Sequence, residues 1–213
     1  MRSQAMIHYV AALPCLLMAS SLMAAPALEW SRDVHFKAQH DPNLIELKEG
    51  EILRVRYDDT SWQRVSVWAA GQKLKLGWHT KLGAVLQDPA GGNPLPIAML
   101  VQGDHPITQA LQACEQKNDA TLAMQACLSD AKSRWDRQLN INYQALLGML
   151  SPEQQRTVKA AQRSWLIWRD AQFSAIAAAY SQEGTLWGLV AGEQQVTLVR
   201  EQADRLGQQL ADR

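Results

Sequence analysis

The sequence predicts an α+β chain of two domains, a small antiparallel β module followed by a disulfide-tied helical bundle. Three observations carry that reading. Short β-rich runs broken by turn residues fill the first half. The apolar period changes from two to 3.6 just past His105-Pro106. Two cysteines, Cys114 and Cys127, lie where they would staple a short helix to the start of a long one. The corresponding ranges are 28–105 for the β-rich domain and 106–213 for the helical one, behind a leading segment, 1–27, that is read as a signal peptide.

That leading segment has its own logic. Residues 5–23 are almost wholly apolar, follow a single basic residue, Arg2, and run into Ala25-Pro26-Ala27. A charged start, an apolar middle and a small-x-small end mark a secretory signal. Cleavage is expected after Ala27, since a cut after Ala25 would leave proline beside the scissile bond. The alternative is an uncleaved anchor, because 19 apolar residues nearly span a bilayer. Either way the destination is periplasmic or secreted, and any membrane contact runs through this segment alone. Cys15 sits behind Pro14, a poor setting for lipid attachment.

Within the β half, 44–50, 51–57, 64–70, 73–78 and 83–87 read as strands. "RVSVW" and "KLKL" alternate in period two, as half-solvated antiparallel strands do. Gly50, Asp58-Asp59, Gly71 and the stretch Pro89-Ala90-Gly91-Gly92 read as turns. Runs of this kind suit a small barrel or sandwich.

The helical half begins with a short helix around 107–117. Leu128, Ala131, Trp135, Leu139, Leu146 and Leu150 then form one stripe of a long helix. Ser151-Pro152-Glu153-Gln154 restarts the chain, with serine as N-cap, proline at the first helical position and glutamine three after the cap. The second long helix runs to about Gln182, where Glu183-Gly184-Thr185 breaks it. Val196, Val199, Ala203, Leu206 and Leu210 give a third stripe.

Without the leader, Cys114 and Cys127 are the remaining cysteines, and in an oxidising compartment two such thiols usually pair. Two separate buried thiols are the alternative. The mature chain carries 20 basic against 21 acidic residues, with neither half skewed. A nucleic-acid partner is therefore disfavoured.

Marks of catalysis are absent from the sequence. His35, His40, His79 and His105 lie in the β half or at the junction, and none has metal-type spacing to another ligand. No serine sits in a G-x-S-x-G context, no phosphate-cradling glycine loop occurs, and Asp58-Asp59 reads as a turn. No enzyme, metal site or cofactor is predicted. Trp62, Trp68 and Trp78 are candidate ligand-stacking faces, because flat aromatic rings suit sugar rings. Core or half-buried strand positions are their other reading.

One stripe of the second long helix poses a physical problem. Val158, Trp165, Phe173, Ile176 and Tyr180 share a face with Gln162 and Arg169. A buried cation left alone costs several kcal/mol, on the order of 3–5. Arg169 and Asp170 are sequence neighbours, about 100° apart around the helix, and are not expected to pair. A polar lock to the preceding helix is expected, in which Arg169 meets Asp136 or a carbonyl, and Gln162 and an asparagine complete the hydrogen bonds. The lock set is Asp136, Asn140, Asn142, Tyr143, Gln162, Trp165, Arg169 and Asp170. The competing reading is a grip, with Arg169 facing a groove and holding a partner's carboxylate.

The helical half also carries an ordered set of short motifs: Cys114, Met124-x-x-Cys127, Trp135-Asp136-x-x-Leu139-Asn140-x-x-Tyr143, Leu150-Ser151-Pro152, Ala161-Gln162-x-x-Trp165, Arg169-Asp170-Ala171, Glu183-Gly184-Thr185 and Thr197-Leu198-x-Arg200. In this order they resemble the periplasmic lysozyme-inhibitor family of the LprI type, over residues 107–213. The resemblance implies an all-helical domain that binds lysozyme or another peptidoglycan hydrolase and blocks it without catalysis. The family often carries a second bridge, from a cysteine shortly after the Arg-Asp pair to one before the final helix. Here Phe173 stands near the first position and Ala191–Gln195 holds no cysteine. Two other functions compete with inhibition: an envelope glycan- or ligand-binding module using the β half, and an envelope structural or assembly factor.

Overall fold

The computed structural model describes residues 28–56, 61–181 and 184–212, with Ser61 and Trp62 described through their backbone only. The leading segment 1–27 and the Asp58-Asp59 turn lie outside these residues. Six strands are described: β1 (Trp30–Asp41), β2 (Leu44–Leu47), β3 (Ile52–Val55), β4 (Lys73–His79), β5 (Gly83–Gln87) and β6 (Leu95–Gln102). They close antiparallel into a barrel in the order β1-β2-β3-β6-β5-β4. Closure removes the exposed sheet edges that would otherwise invite pairing with other chains. Inward residues recur every second position, as at Val34 and Phe36, Ile45 and Leu47, Leu53 and Val55, and Leu74 and Leu76, all 5% exposed or less.

Three parts of the β half differ from the expectation. Residues 64–70 are not a strand. A short helix, α1 (Ser61–Ser66), occupies the region, followed by turns in which Trp68 N donates to Val65 O and Gln72 N to Ala69 O. Val65 is buried and Trp68 half-buried while Val67 is 78% exposed, a spacing of three where alternation predicted two. β1 passed unnoticed because only Val34 and Phe36 in its polar run are buried. β6 was hidden by Pro96, which removes an N–H but still accepts from Arg56 N through its carbonyl at 2.8 Å.

The helical half follows the predicted order: α2 (Pro106–Glu115), α3 (Thr121–Gly148), α4 (Pro152–Ala179) and α5 (Thr185–Ala211). Ser151 and Gln154 form the expected capping box, Gln154 N donating to Ser151 Oγ and Ser151 N to Gln154 Oε1. Cys114 and Cys127 are disulfide-bonded, with Cα atoms 5.9 Å apart, tying the end of α2 to α3. Closing that loop contributes roughly 3 kcal/mol on the chain-entropy account. Both predicted stripes, Leu128 to Leu150 and Val196 to Leu210, are buried. Among the described residues no helix is long and apolar enough to cross a membrane.

Barrel and bundle meet through a shared interior. Trp78 of β4, Ala98 of β6 and Ile107 of α2 are buried in the helical core, beside Trp135, Leu139 and Ala203. Polar groups bridge the same seam. Arg32 Nε donates to Gln109 Oε1 at 2.8 Å, and Glu29 meets the guanidinium of Arg134 at 3.1 Å. Gly207 presses its backbone against the Ala98 carbonyl, where a side chain would collide. The close approach of α5 to β6 therefore depends on glycine there.

Candidate functional site

The polar residues inside the bundle form three separate links rather than one lock. In the first, Ala84 N of β5 donates to Gln138 Oε1, Gln138 Nε2 donates to Asn142 Oδ1, and Asn142 Nδ2 donates to Ala203 O, each at 2.9 Å. This chain runs from barrel through α3 to α5, and both amides are 2% exposed. It satisfies buried groups that would otherwise cost about 1–3 kcal/mol each. Asn142 thus faces α5 and the barrel, not α4 as expected.

The second link joins α4 to α5. Gln202 Nε2 donates to Gln162 Oε1 at 3.0 Å, and both residues are 8% exposed. No asparagine completes Gln162. A glutamine of the final helix does, and Arg205 Nη1 donates to the same Gln202 at 3.4 Å.

Arg169 carries the third link. Its Nη1 lies 3.6 Å from Asp136 Oδ1 on α3, the partner expected from sequence. Contrary to expectation, Asp170 is also a partner: Arg169 Nε and Nη2 donate to Asp170 Oδ1 at 2.9 and 2.7 Å. The 100° separation constrains the Cα–Cβ directions, and the long arginine stem folds sideways to cover the gap. The guanidinium also lies over the rings of Trp165 and Phe173, at 5.5 and 5.7 Å. With its side chain 21% exposed and two carboxylates at hand, Arg169 is not an uncompensated cation in an open cleft.

The remaining members of the set are local. Asn140 Nδ2 donates to Asp136 O at 2.9 Å and to its carboxylate at 3.3 Å, on the exposed side of α3. Tyr143 and Trp165 pack half-buried against the helical core. Gln138 and Gln202 were missed, although each interrupts an apolar stripe as Gln162 does, which was the available signal.

Of the two readings open for the tryptophans of the β half, Trp78 and Trp68 follow the core or half-buried one. Trp78 is fully buried, with the guanidinium groups of Arg134 and Arg137 over its ring at 5.7 and 4.9 Å. No face is left for a ligand. Trp68 is half-buried, edge-on to Phe36 at 5.7 Å. The side chain of Trp62 lies outside the described residues. Among the histidines, His35 and His40 pair with Glu49 and Glu46 on the surface, and His79 accepts from the backbone N–H groups of Lys81 and Leu82.

A recess of 290 Å³ opens where barrel and bundle meet, walled by His105, Thr108, Trp135, Arg200 and Asp204. His105 caps α2 by accepting from Ile107 N and lies against Trp135, the rings 4.3 Å apart and tilted by 36°. Burial, with Arg200 adding repulsion, lowers its imidazole to about 3, so it is neutral in the folded protein at neutral pH. Crowding of its carboxyl at the recess wall, on a residue otherwise exposed, pushes Asp204 up to about 6, against the pull of Arg200 and with a push from Glu201.

An interrupted polar seam in a disulfide-tied bundle is therefore what the motif residues build. Residues 112–206 match the family model for lysozyme inhibitor LprI. The matched segment thus begins at Gln112 in α2 and ends at Leu206 in α5, inside the range of the resemblance drawn from sequence. It leaves the barrel unmatched. No curated protein matches the chain. Among solved structures, an uncharacterized protein from Burkholderia thailandensis is similar at 27% identity and a TM-score of 0.47, over 53% of this chain and 55% of that one. The chain therefore spans little more than half the length of that protein.

Proposed function

We propose that this protein is a non-catalytic periplasmic or secreted binder of lysozyme-type peptidoglycan hydrolases, with the LprI-type bundle as its inhibitory part. The observation that carries this reading is the family match over residues 112–206. The secretory pattern of 1–27 and the disulfide suit an oxidising destination. In this reading the helical part, 106–213, does the binding and the β-rich part, 28–105, supports it. In this scheme Asp136, Arg169 and Asp170 keep α4 in register with α3, as does Gln162 with α5, while Asn140, Tyr143 and Trp165 flank these links. A lysozyme turnover assay with the purified protein tests it. Turnover falling in proportion to added protein is expected, and unchanged turnover at high molar excess would remove the proposal.

A further inference from the structure

Trp168 stands on α4 with half of its surface open to solvent, 50%, between two recesses. Both open between α4 and α5. One, of 410 Å³, is edged by Ser164, Gln202 and Arg205, and the other, of 400 Å³, by Gln172 and Gln194. Trp168, Leu198 and Glu201 belong to both, so the two form one trough with the indole at its centre. From Ser164 to Ile176 the trough follows about 18 Å of helix at 1.5 Å per residue. That length suits a short chain of rings better than a single one.

The chemistry of the trough is selective. A flat, accessible indole offers an apolar face for the C–H side of a sugar ring. Around it stand planar amides, which can both donate to and accept from ring hydroxyls, and a carboxylate, which accepts from them. Several are held in advance: Gln202 by Gln162, Arg205 by Gln202, and Gln194 by the Tyr180 hydroxyl. Prior ordering of this kind lowers the entropy cost of binding. Glu193 and Glu201 outnumber the guanidinium of Arg205 along the trough, which opposes a polyanionic chain. Both recesses mix polar side chains with Trp165, Ile176 and Leu198 and are open to solvent, unlike the fully desolvated pockets that anchor protein partners.

We propose that this trough binds an uncharged pyranose oligosaccharide, with Trp168 as the stacking platform and Gln172, Gln194 and Glu201 as hydroxyl partners. The site lies on the bundle, not on the barrel tryptophans, and it does not depend on inhibition of a hydrolase. The test is a titration of the intact protein, with no hydrolase present, by tri-N-acetylchitotriose and by cellotriose, followed by heteronuclear NMR. A saturable response around α4 and α5 is expected with at least one of the two sugars. Trp168→Ala should weaken it by about tenfold or more, equivalent to about 1.4 kcal/mol, and leave the thermal midpoint unchanged. Glu201→Gln should weaken it less. No saturable response to either sugar, or equal affinity in Trp168→Ala, would overturn the site. So would self-association that Trp168→Ala abolishes in protein that binds neither sugar, since the trough would then be a contact between copies.

Discussion

The helices α3 and α4 are both 28 residues long and neither is strongly apolar, yet α3 buries nine residues and α4 buries two, Gln162 and Ile176. The difference lies in what surrounds them. α3 runs between barrel and α5 and is covered on two sides, so Trp135, Leu139 and Leu146 are sealed. α4 rests on the outside. Its stripe residues Val158, Trp165 and Phe173 are only half-buried, and Ile167 is 74% exposed. Two helices with similar sequence periodicity thus serve different ends. One is the spine that joins the halves of the protein, and the other is a surface element held by a few polar and aromatic anchors.

Substitution can break that contrast. Trp135→Ala should cost about 3–5 kcal/mol by opening a cavity in the spine, while Ile167→Ala on α4 should stay within about 0.5 kcal/mol. Chemical denaturation of both variants measures it, and equal losses would contradict the difference in burial. Replacing Cys114 and Cys127 together by serine should cost about 3 kcal/mol, because α3 loses its tether to α2. Asn142→Ala should cost about 1–3 kcal/mol by leaving the Gln138 amide without its acceptor. Arg169→Ala should cost about 1 kcal/mol, since its partners are exposed carboxylates and its ring contacts are part-solvated. A double-mutant cycle with Asp136→Ala would isolate the helix-to-helix part, and a coupling as large as the Trp135 effect would make α4 part of the spine after all.

The smallest expected effect is a pH dependence at the seam itself. His105 stays neutral in the folded protein down to about 3, whereas the unfolded chain takes up that proton near 6.5. Acid therefore favours unfolding progressively from about pH 6.5 downwards. Asp204 acts in the opposite direction: its folded carboxyl gains a proton near 6, its unfolded one near 3.8, so acid stabilises the fold between those values. The histidine effect spans the wider range: the two nearly cancel between about 6 and 4, and the melting temperature should fall slightly from 6.5 to 6 and more clearly below about 4. His105→Asn, which keeps a capping side chain for α2, should flatten or reverse that slope. An unchanged slope would show that neither group governs the seam.

Much of the architecture is legible in the sequence. The helical stripes of α3 and α5, the capping box at Ser151 and the disulfide follow from local rules, since each depends on spacing along one segment or on two residues of one chemistry. Strands β2, β3, β4 and β5 announced themselves by alternation and turns. β1 and β6 did not, because a strand's place in a barrel is stabilised by neighbours far away in sequence, and Phe36 needs Leu47 as much as its own pattern. Residues 64–70 showed the reverse error, where alternation in five residues lost to a helical turn that seats Val65 in the barrel.

For the candidate site, periodicity identified which polar residues interrupt an apolar face but not which helix answers them. Asn142 and Gln162 were recognised as embedded, while their partners, Ala203 and Gln202, come from α5. For Trp78 the sequence left a stacking face and a core position both open, and the docking of α3 decides for the core by burying the ring under two arginines. Composition and spacing along the chain thus set the order of elements, the cross-link and the presence of a polar seam, because these depend on short-range backbone preference and side-chain type. Which faces became interior and which stayed open to solvent was settled by packing, since burial belongs to pairs of surfaces and no single stretch of sequence contains both.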